Sequence, residues 1–259
     1  MLEILKRTRL FAFDLDGTLY MGENIIKGAI ELIEYLRQQY KIAFFTNNSS
    51  KTKQEIHDKL NRLGIACELQ EVFTSSSAMS LYLKETGIDN IYVIGSESFR
   101  SELKNNGFQI VDNDSAEHLI VGYDCNFSYK KIADALMVLL GGGMFIACNE
   151  DGSFPIGENK LLPGCGAMVG AVASSSGREP DFIVGKPNTY ILSKIADTYG
   201  VSNYEIVVVG DSYESDIAMA LRYQSNAILI GSLPDHDSSH KNVLVKKDIY
   251  EILRLIKEQ

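Results

Sequence analysis

Leu10-Phe11-Ala12-Phe13-Asp14-Leu15-Asp16-Gly17-Thr18 is the stretch on which the reading of this chain turns. Four apolar residues followed at once by closely spaced acids describe a buried parallel strand whose carboxyl end opens into a ligand crevice. Gly17 lets the backbone turn there, so that the carboxylates of Asp14 and Asp16 can face one pocket. Such a pair suits a metal and a phosphate, with an aspartate as nucleophile. Asp and Gly are also common turn punctuation, so the run taken alone serves equally well as a capped turn.

The rest of the chain narrows that choice. Its 259 residues exceed a typical single core and predict two domains, or one domain with a large insertion. Hydrophobic residues at 45% and charged residues at 23% are those of an ordinary globular protein. A net charge of -9 without a basic stripe argues against nucleic acid and anionic membrane as partners. An acidic protein acting on an anion needs local positive charge, from a divalent cation or a placed lysine. Cys67, Cys125, Cys148 and Cys165 lack zinc or dithiol spacing and read as reduced residues. The charged segment 1–9 has no secretory core and no run of eighteen apolar residues occurs, so a cytoplasmic location is expected.

Strand-like apolar runs alternate with helix-period segments throughout, which predicts an α/β protein with mainly parallel sheets. The runs are Leu10 to Phe13, Ile42 to Phe45, Ile91 to Ile94, Leu119 to Val121, Phe145 to Ala147, Phe182 to Val184, Ile206 to Val209 and Ala227 to Ile230. Between the first two, Ala29, Ile30, Ile33 and Leu36 fall at helical spacing. A second helix is predicted over Lys51 to Leu63, capped by Ser49 or Ser50 and ended by Gly64, and further helices over Ser76 to Lys84 and Tyr129 to Leu140. Residues 1–80 and 180–259 are assigned to a core domain, and 81–179 to an inserted α/β domain.

Three more polar clusters follow apolar runs. Thr46-Asn47-Asn48-Ser49-Ser50 offers a hydroxyl and backbone amides to phosphate oxygens, although one of these residues would suffice as a helix cap. Gly185-Lys186-Pro187 holds a lysine on a stiff segment, where its ammonium would neutralise phosphate and carboxylate; by itself it reads equally as surface. Gly210-Asp211-Ser212-Tyr213-Glu214-Ser215-Asp216 supplies hard oxygen donors suited to magnesium.

In order, these clusters resemble the haloacid dehalogenase (HAD) superfamily pattern of Asp-x-Asp-Gly-Thr, then Ser or Thr, then Lys, then Gly-Asp with a further Asp. Within it the chain resembles the NagD or p-nitrophenyl phosphatase branch, through Phe44 to Ser49, Phe73-Thr74-Ser75, Val121 to Asp124, Phe145 to Asp151, Leu162 to Ala167 and Gly185-Lys186-Pro187. It departs at Asn188, Ser215 and Tyr223-Gln224-Ser225, where the branch usually has an acid, a Thr and Ala-Gly after one residue; these changes bear on subgroup and substrate rather than on the carboxylates.

The resemblance implies a Rossmann-like core with a large α/β cap, and magnesium-dependent hydrolysis of a small phosphorylated metabolite such as a sugar phosphate. Asp14 would be the nucleophile, forming an aspartyl-phosphate, and Asp16 the proton shuttle. The metal would be held by the Asp14 carboxylate, the Asp16 carbonyl and Asp211, with Asp216 acting directly or through water. Thr46, the Asn47 amide and Lys186 would bind the phosphoryl group. Asn149, Asp151 and Pro155 are the candidates for substrate selection in the cap, an ordinary surface loop being the competing reading. A homodimer through the cap is compatible with the resemblance alone. Two other readings stay open, a phosphotransferase or mutase of the same superfamily and a non-catalytic phospho-acceptor module. Kinase and dinucleotide motifs are missing: there is no Gly-x-x-x-x-Gly-Lys-Ser/Thr, and Gly141-Gly142-Gly143 does not follow a strand.

Overall fold

The computed structural model describes residues 5–157, 160–233 and 240–258. The chain begins with β1 (Leu10–Asp14), the short hairpin β2 (Tyr20–Met21) and β3 (Asn24–Ile25), α1 (Ala29–Leu36), β4 (Lys41–Thr46), α2 (Lys53–Arg62) and β5 (Val72–Thr74). It continues through α3 (Ser75–Thr86), β6 (Asn90–Ile94), α4 (Glu97–Asn105), β7 (Gln109–Ile110), β8 (His118–Val121), α5 (Tyr129–Leu140) and β9 (Phe145–Ala147). After the hairpin β10 (Ser153–Gly157) and β11 (Lys160–Pro163) come α6 (Cys165–Ser176), β12 (Phe182–Ile183), α7 (Tyr190–Tyr199) and β13 (Ile206–Gly210). The described chain closes with α8 (Ala218–Arg222), β14 (Asn226–Ile230), β15 (Val243–Lys246) and α9 (Ile249–Lys257).

Two compact units result, one of 1–46, 57–73 and 186–259, the other of 47–56 and 74–185. The first is built on a six-stranded sheet of order β15-β14-β13-β1-β4-β5, in which β1 lies parallel to both β13 and β4. Its central strands are apolar on both faces because helices cover both, as a parallel sheet requires. Every residue of β1 and β13 is buried. Each Val or Ile so buried contributes about 1.5–3 kcal/mol. The chain leaves β1 toward β4 on one side and returns through β13 on the other, so the strand order reverses between β1 and β13. Ligands of open α/β sheets bind beyond the carboxyl ends at such a reversal.

The second unit is a five-stranded sheet of order β12-β9-β8-β6-β7, with all its pairings parallel. The α/β fold with a parallel core sheet and an inserted second parallel sheet is therefore as expected.

Local details differ from the expectations. The cap of α2 is Thr52, whose Oγ1 accepts from Glu55 N while the Glu55 carboxylate accepts from Thr52 N. Ser49 Oγ instead accepts from Tyr123 N, and Ser50 donates to Asn48 Oδ1. A reciprocal box satisfies two orphan amides, which a single serine does not. In α1 the buried stripe is Ala29, Leu32, Ile33 and Leu36, with Ile30 only half-buried. The stretch after Asn149, expected as a loop, folds into the β10–β11 hairpin.

Candidate active site

The turn after β1 is wound tightly: Leu15 O accepts from the amides of Thr18, Leu19 and Tyr20, and Gly17 N donates to Tyr20 O. Gly17 sits at φ +90°, and a Cβ there would overlap the Asp211 carboxylate. Only glycine satisfies both the left-handed backbone and the close approach. Thr18 Oγ1 then donates to Asp211 Oδ1 at 3.1 Å, fixing the carboxylate that the glycine admits.

An equivalent approach occurs at the end of β13. A Cβ on Gly210 would overlap Asp216. The wide helical turn Tyr213–Ile217 begins at Ser212, whose side chain accepts from Ser215 N and whose backbone amide donates to Asp216 Oδ2 at 3.1 Å. Asp216 is thereby aimed back under the strand end, with no exposed surface.

Lys186 joins the two segments. Its Nζ donates to Asp14 Oδ1 at 2.5 Å and to Asp216 Oδ1 at 2.7 Å. Asp14 is 4% and Lys186 5% exposed, so these ion pairs are shielded from water. Burial opposes the ammonium, but the carboxylates of Asp14 and Asp216 outweigh it and hold Lys186 protonated well above the ordinary lysine range. Asp16 and Asp211 keep an exposed side, but partial desolvation at the strand ends pushes both carboxyls up, helped in each by the charge of Asp14; Lys59 and the Tyr20 hydroxyl pull Asp16 partly back.

One carboxylate oxygen from each of Asp14, Asp211 and Asp216 lies within 4.8 Å of the others. Hard oxygens at this spacing fit a divalent cation. With Asp16 alongside, the acids outnumber Lys186, so an anionic substrate would meet net repulsion until a further cation is bound. The donor set and charge balance therefore fit a metal.

Thr46 ends β4 and is buried. Asn47, Asn149 and Asp151 make a separate network within the second unit. Asn149 Nδ2 donates to Asn47 O at 2.7 Å, Asn149 Oδ1 accepts from Asp151 N, and Asn47 Nδ2 donates to both Asp151 carboxylate oxygens at 3.2 and 3.0 Å. Ser75 Oγ adds a bond to Asn47 O at 2.8 Å. Asn149 and Asp151 thus hold the Asn47 backbone and amide. The Pro155 backbone lies in β10, and its side chain falls outside the described residues.

Tyr20 and Lys59 lie outside every polar cluster read from sequence, whereas Thr18 and Gly210 fall inside the two acidic clusters without a role assigned to them. Thr18 was legible as the last residue of the Asp-x-Asp-Gly-Thr run. Tyr20 and Lys59 give no signal beyond an ordinary aromatic and an ordinary helix lysine; their burial and their contacts toward Asp16 mark them.

Residues 11–109 match the haloacid dehalogenase-like hydrolase family model, and 183–250 match a HAD-hydrolase-like model. The chain is 35% identical over 215 residues to an acid sugar phosphatase of Staphylococcus epidermidis, covering 82% of each. It is 33% identical over 243 residues to an acid sugar phosphatase of Staphylococcus aureus, covering 92% of this chain and 93% of the other. The crystal structure of a 4-nitrophenylphosphatase from Thermotoga maritima superposes with a TM-score of 0.89 at 28% identity, covering 97% of this chain and 98% of the other. No described helix is long and apolar enough to cross a membrane. With this match added to an acidic strand end, a bridging lysine and an acidic triad, the chain belongs to the haloacid dehalogenase-like hydrolases, in the NagD and p-nitrophenyl phosphatase branch, and is a phosphatase.

Proposed function

We propose that the protein is a magnesium-dependent phosphomonoester hydrolase acting on sugar phosphates or other small phosphorylated metabolites through an aspartyl-phosphate on Asp14. The observation that carries this is Lys186, buried and bonded to Asp14 and Asp216 at the carboxyl ends of the strands where the sheet order reverses. By taking Asp14 Oδ1, Lys186 fixes the rotation of that carboxylate and presents Oδ2 as the attacking oxygen. The Oδ2–P bond forms as the ester P–O bond breaks, and the departing alkoxide takes the proton of Asp16. Asp16 then removes a proton from water, which attacks phosphorus, releases inorganic phosphate and restores both aspartates.

Asp14, the Asp16 carbonyl and Asp211 would hold magnesium, which when bound supplies the positive charge that offsets repulsion between nucleophile and phosphate. Asp216, with one oxygen on Lys186 and the other on Ser212 N, fixes the lysine and would reach the metal directly or through water. Thr46 Oγ1, the Asn47 amide and Lys186 serve as phosphate donors. The second unit is the cap, where the Asn149–Asp151 segment shapes selection by holding Asn47.

The sugar phosphate class is supported by the names of the Staphylococcus relatives. A reducing, cytoplasmic setting is supported by four free cysteines. A homodimer through the cap follows from the resemblance, and light scattering reads it directly.

The test is release of inorganic phosphate from a panel of phosphomonoesters, with magnesium and with chelator, by wild type and Asp14→Asn. Metal-dependent release lost in the variant is expected. A stable phosphorylated protein without turnover would instead establish an acceptor module, and phosphate transferred to added alcohols a transferase.

A further inference from the structure

Two groups in the first unit lie outside the machinery described so far. Tyr20 is fully buried, and its hydroxyl donates to Asp16 Oδ2 at 3.2 Å. Lys59, on α2, is only 7% exposed, and its Nζ stands 3.6 Å from the centroid of the Tyr20 ring. Lysine is rarely buried to this degree on a helix that has a solvent face. An ammonium over a phenol ring draws density from the ring and makes its O–H a stronger donor. The Tyr20 backbone is fixed as well, its amide donating to Leu15 O and its carbonyl accepting from Gly17 N, the residue after Asp16. The ring therefore reaches the carboxylate from the same tight turn that carries it.

We propose that Lys59 and Tyr20 form a positioning relay for Asp16, in which the ammonium polarises the phenol and the phenol O–H holds Asp16 Oδ2, leaving Oδ1 aimed at the leaving oxygen. This rests on the reading of Asp16 as proton shuttle. Neither residue touches substrate; each acts through the carboxylate. A misplaced general acid harms esters of weakly acidic alcohols most, because p-nitrophenolate departs without a proton.

The experiment measures kcat/KM of the full chain with magnesium, for glucose 6-phosphate and for p-nitrophenyl phosphate, in wild type, Tyr20→Phe, Lys59→Met and the double variant, with thermal melting of each. Tyr20→Phe is expected to lower the ratio of the two constants, sugar ester over aryl ester, by about tenfold, the worth of a hydrogen bond to a charged acceptor. Lys59→Met should shift the ratio in the same direction by about threefold. The double variant should fall short of the product of the two single shifts, because part of the lysine's effect passes through the hydroxyl. Equal losses on both esters, or additive shifts in the double variant, would overturn the relay while Asp14→Asn still reports on the underlying chemistry. Should Tyr20→Phe fail to fold, the ratio in Lys59→Met decides alone, a shift supporting the relay and an unchanged ratio overturning it.

Discussion

Replacing Lys186 with Met removes the ammonium and keeps much of the stem. At separations of 2.5 and 2.7 Å, each ion pair is worth about 6 kcal/mol gross at an effective dielectric of ~20. Desolvation offsets most of that, and breaking a buried pair typically costs about 3–5 kcal/mol because a charge is left without its counterion. The cost depends on pH with a definite sign. Burial raises the Asp216 carboxyl from 3.8 to about 7 even with Lys186 present, and in the variant its pKa rises further. A carboxyl raised by folding favours the native state fully below its ordinary value and loses that contribution as pH rises through the folded pKa. The loss of stability in Lys186→Met is therefore greatest above pH 7 and shrinks on acidification to pH 5, where Asp216 is neutral. Thermal melts should show a midpoint lowered by about 10 °C at pH 8 and by about half as much at pH 5. A change under 1 °C at both, or a loss that grows on acidification, would refute the account of Lys186 as the buried counterion.

Other outcomes follow from the same geometry. Asp16→Asn should remove proton donation, lowering kcat for a sugar ester by about 10²- to 10⁴-fold; the wild-type decline in kcat/KM as pH rises through the elevated Asp16 pKa should vanish with it. Gly17→Ala introduces a Cβ into the Asp211 carboxylate at a left-handed backbone position, and should cost about 1–3 kcal/mol while raising the magnesium concentration needed for half-maximal activity. Asn149→Ala strips one donor from Asn47 O and removes the side-chain acceptor of Asp151 N, a cost of about 2 kcal/mol in denaturant unfolding. If Asn47 is a phosphate donor, KM should rise more than kcat falls in that variant.

What the sequence made legible follows from burial. β1, β4, β8, β9 and β13 carry uninterrupted apolar runs because both faces are covered, and such runs announce themselves. β7, β5 and β15 lie at sheet edges, are two to four residues long, and carry too little pattern to separate from coil. The β10–β11 hairpin is hidden by Gly and Pro, which signal a loop more strongly than a strand. At the site, Asp14, Lys186, Asp211 and Asp216 stand out because four polar clusters follow apolar strands in one order, although each cluster alone reads equally as a turn or as surface. Tyr20 and Lys59 did not, since nothing in the residue type of a helix lysine tells which way its ammonium points.

The pairing of β1 with β13, Leu10 opposite Ile206, joins segments nearly two hundred residues apart. During synthesis, a nascent polypeptide of two hundred residues has already made Asp14 and Lys186 but not the strand that flanks β1 on its second side. Until that strand emerges, β1 is an exposed edge of four consecutive apolar residues, the kind that pairs indiscriminately with other chains. Catalytic competence is thus among the last properties the molecule acquires, and the interval before it is when the chain has most need of a chaperone.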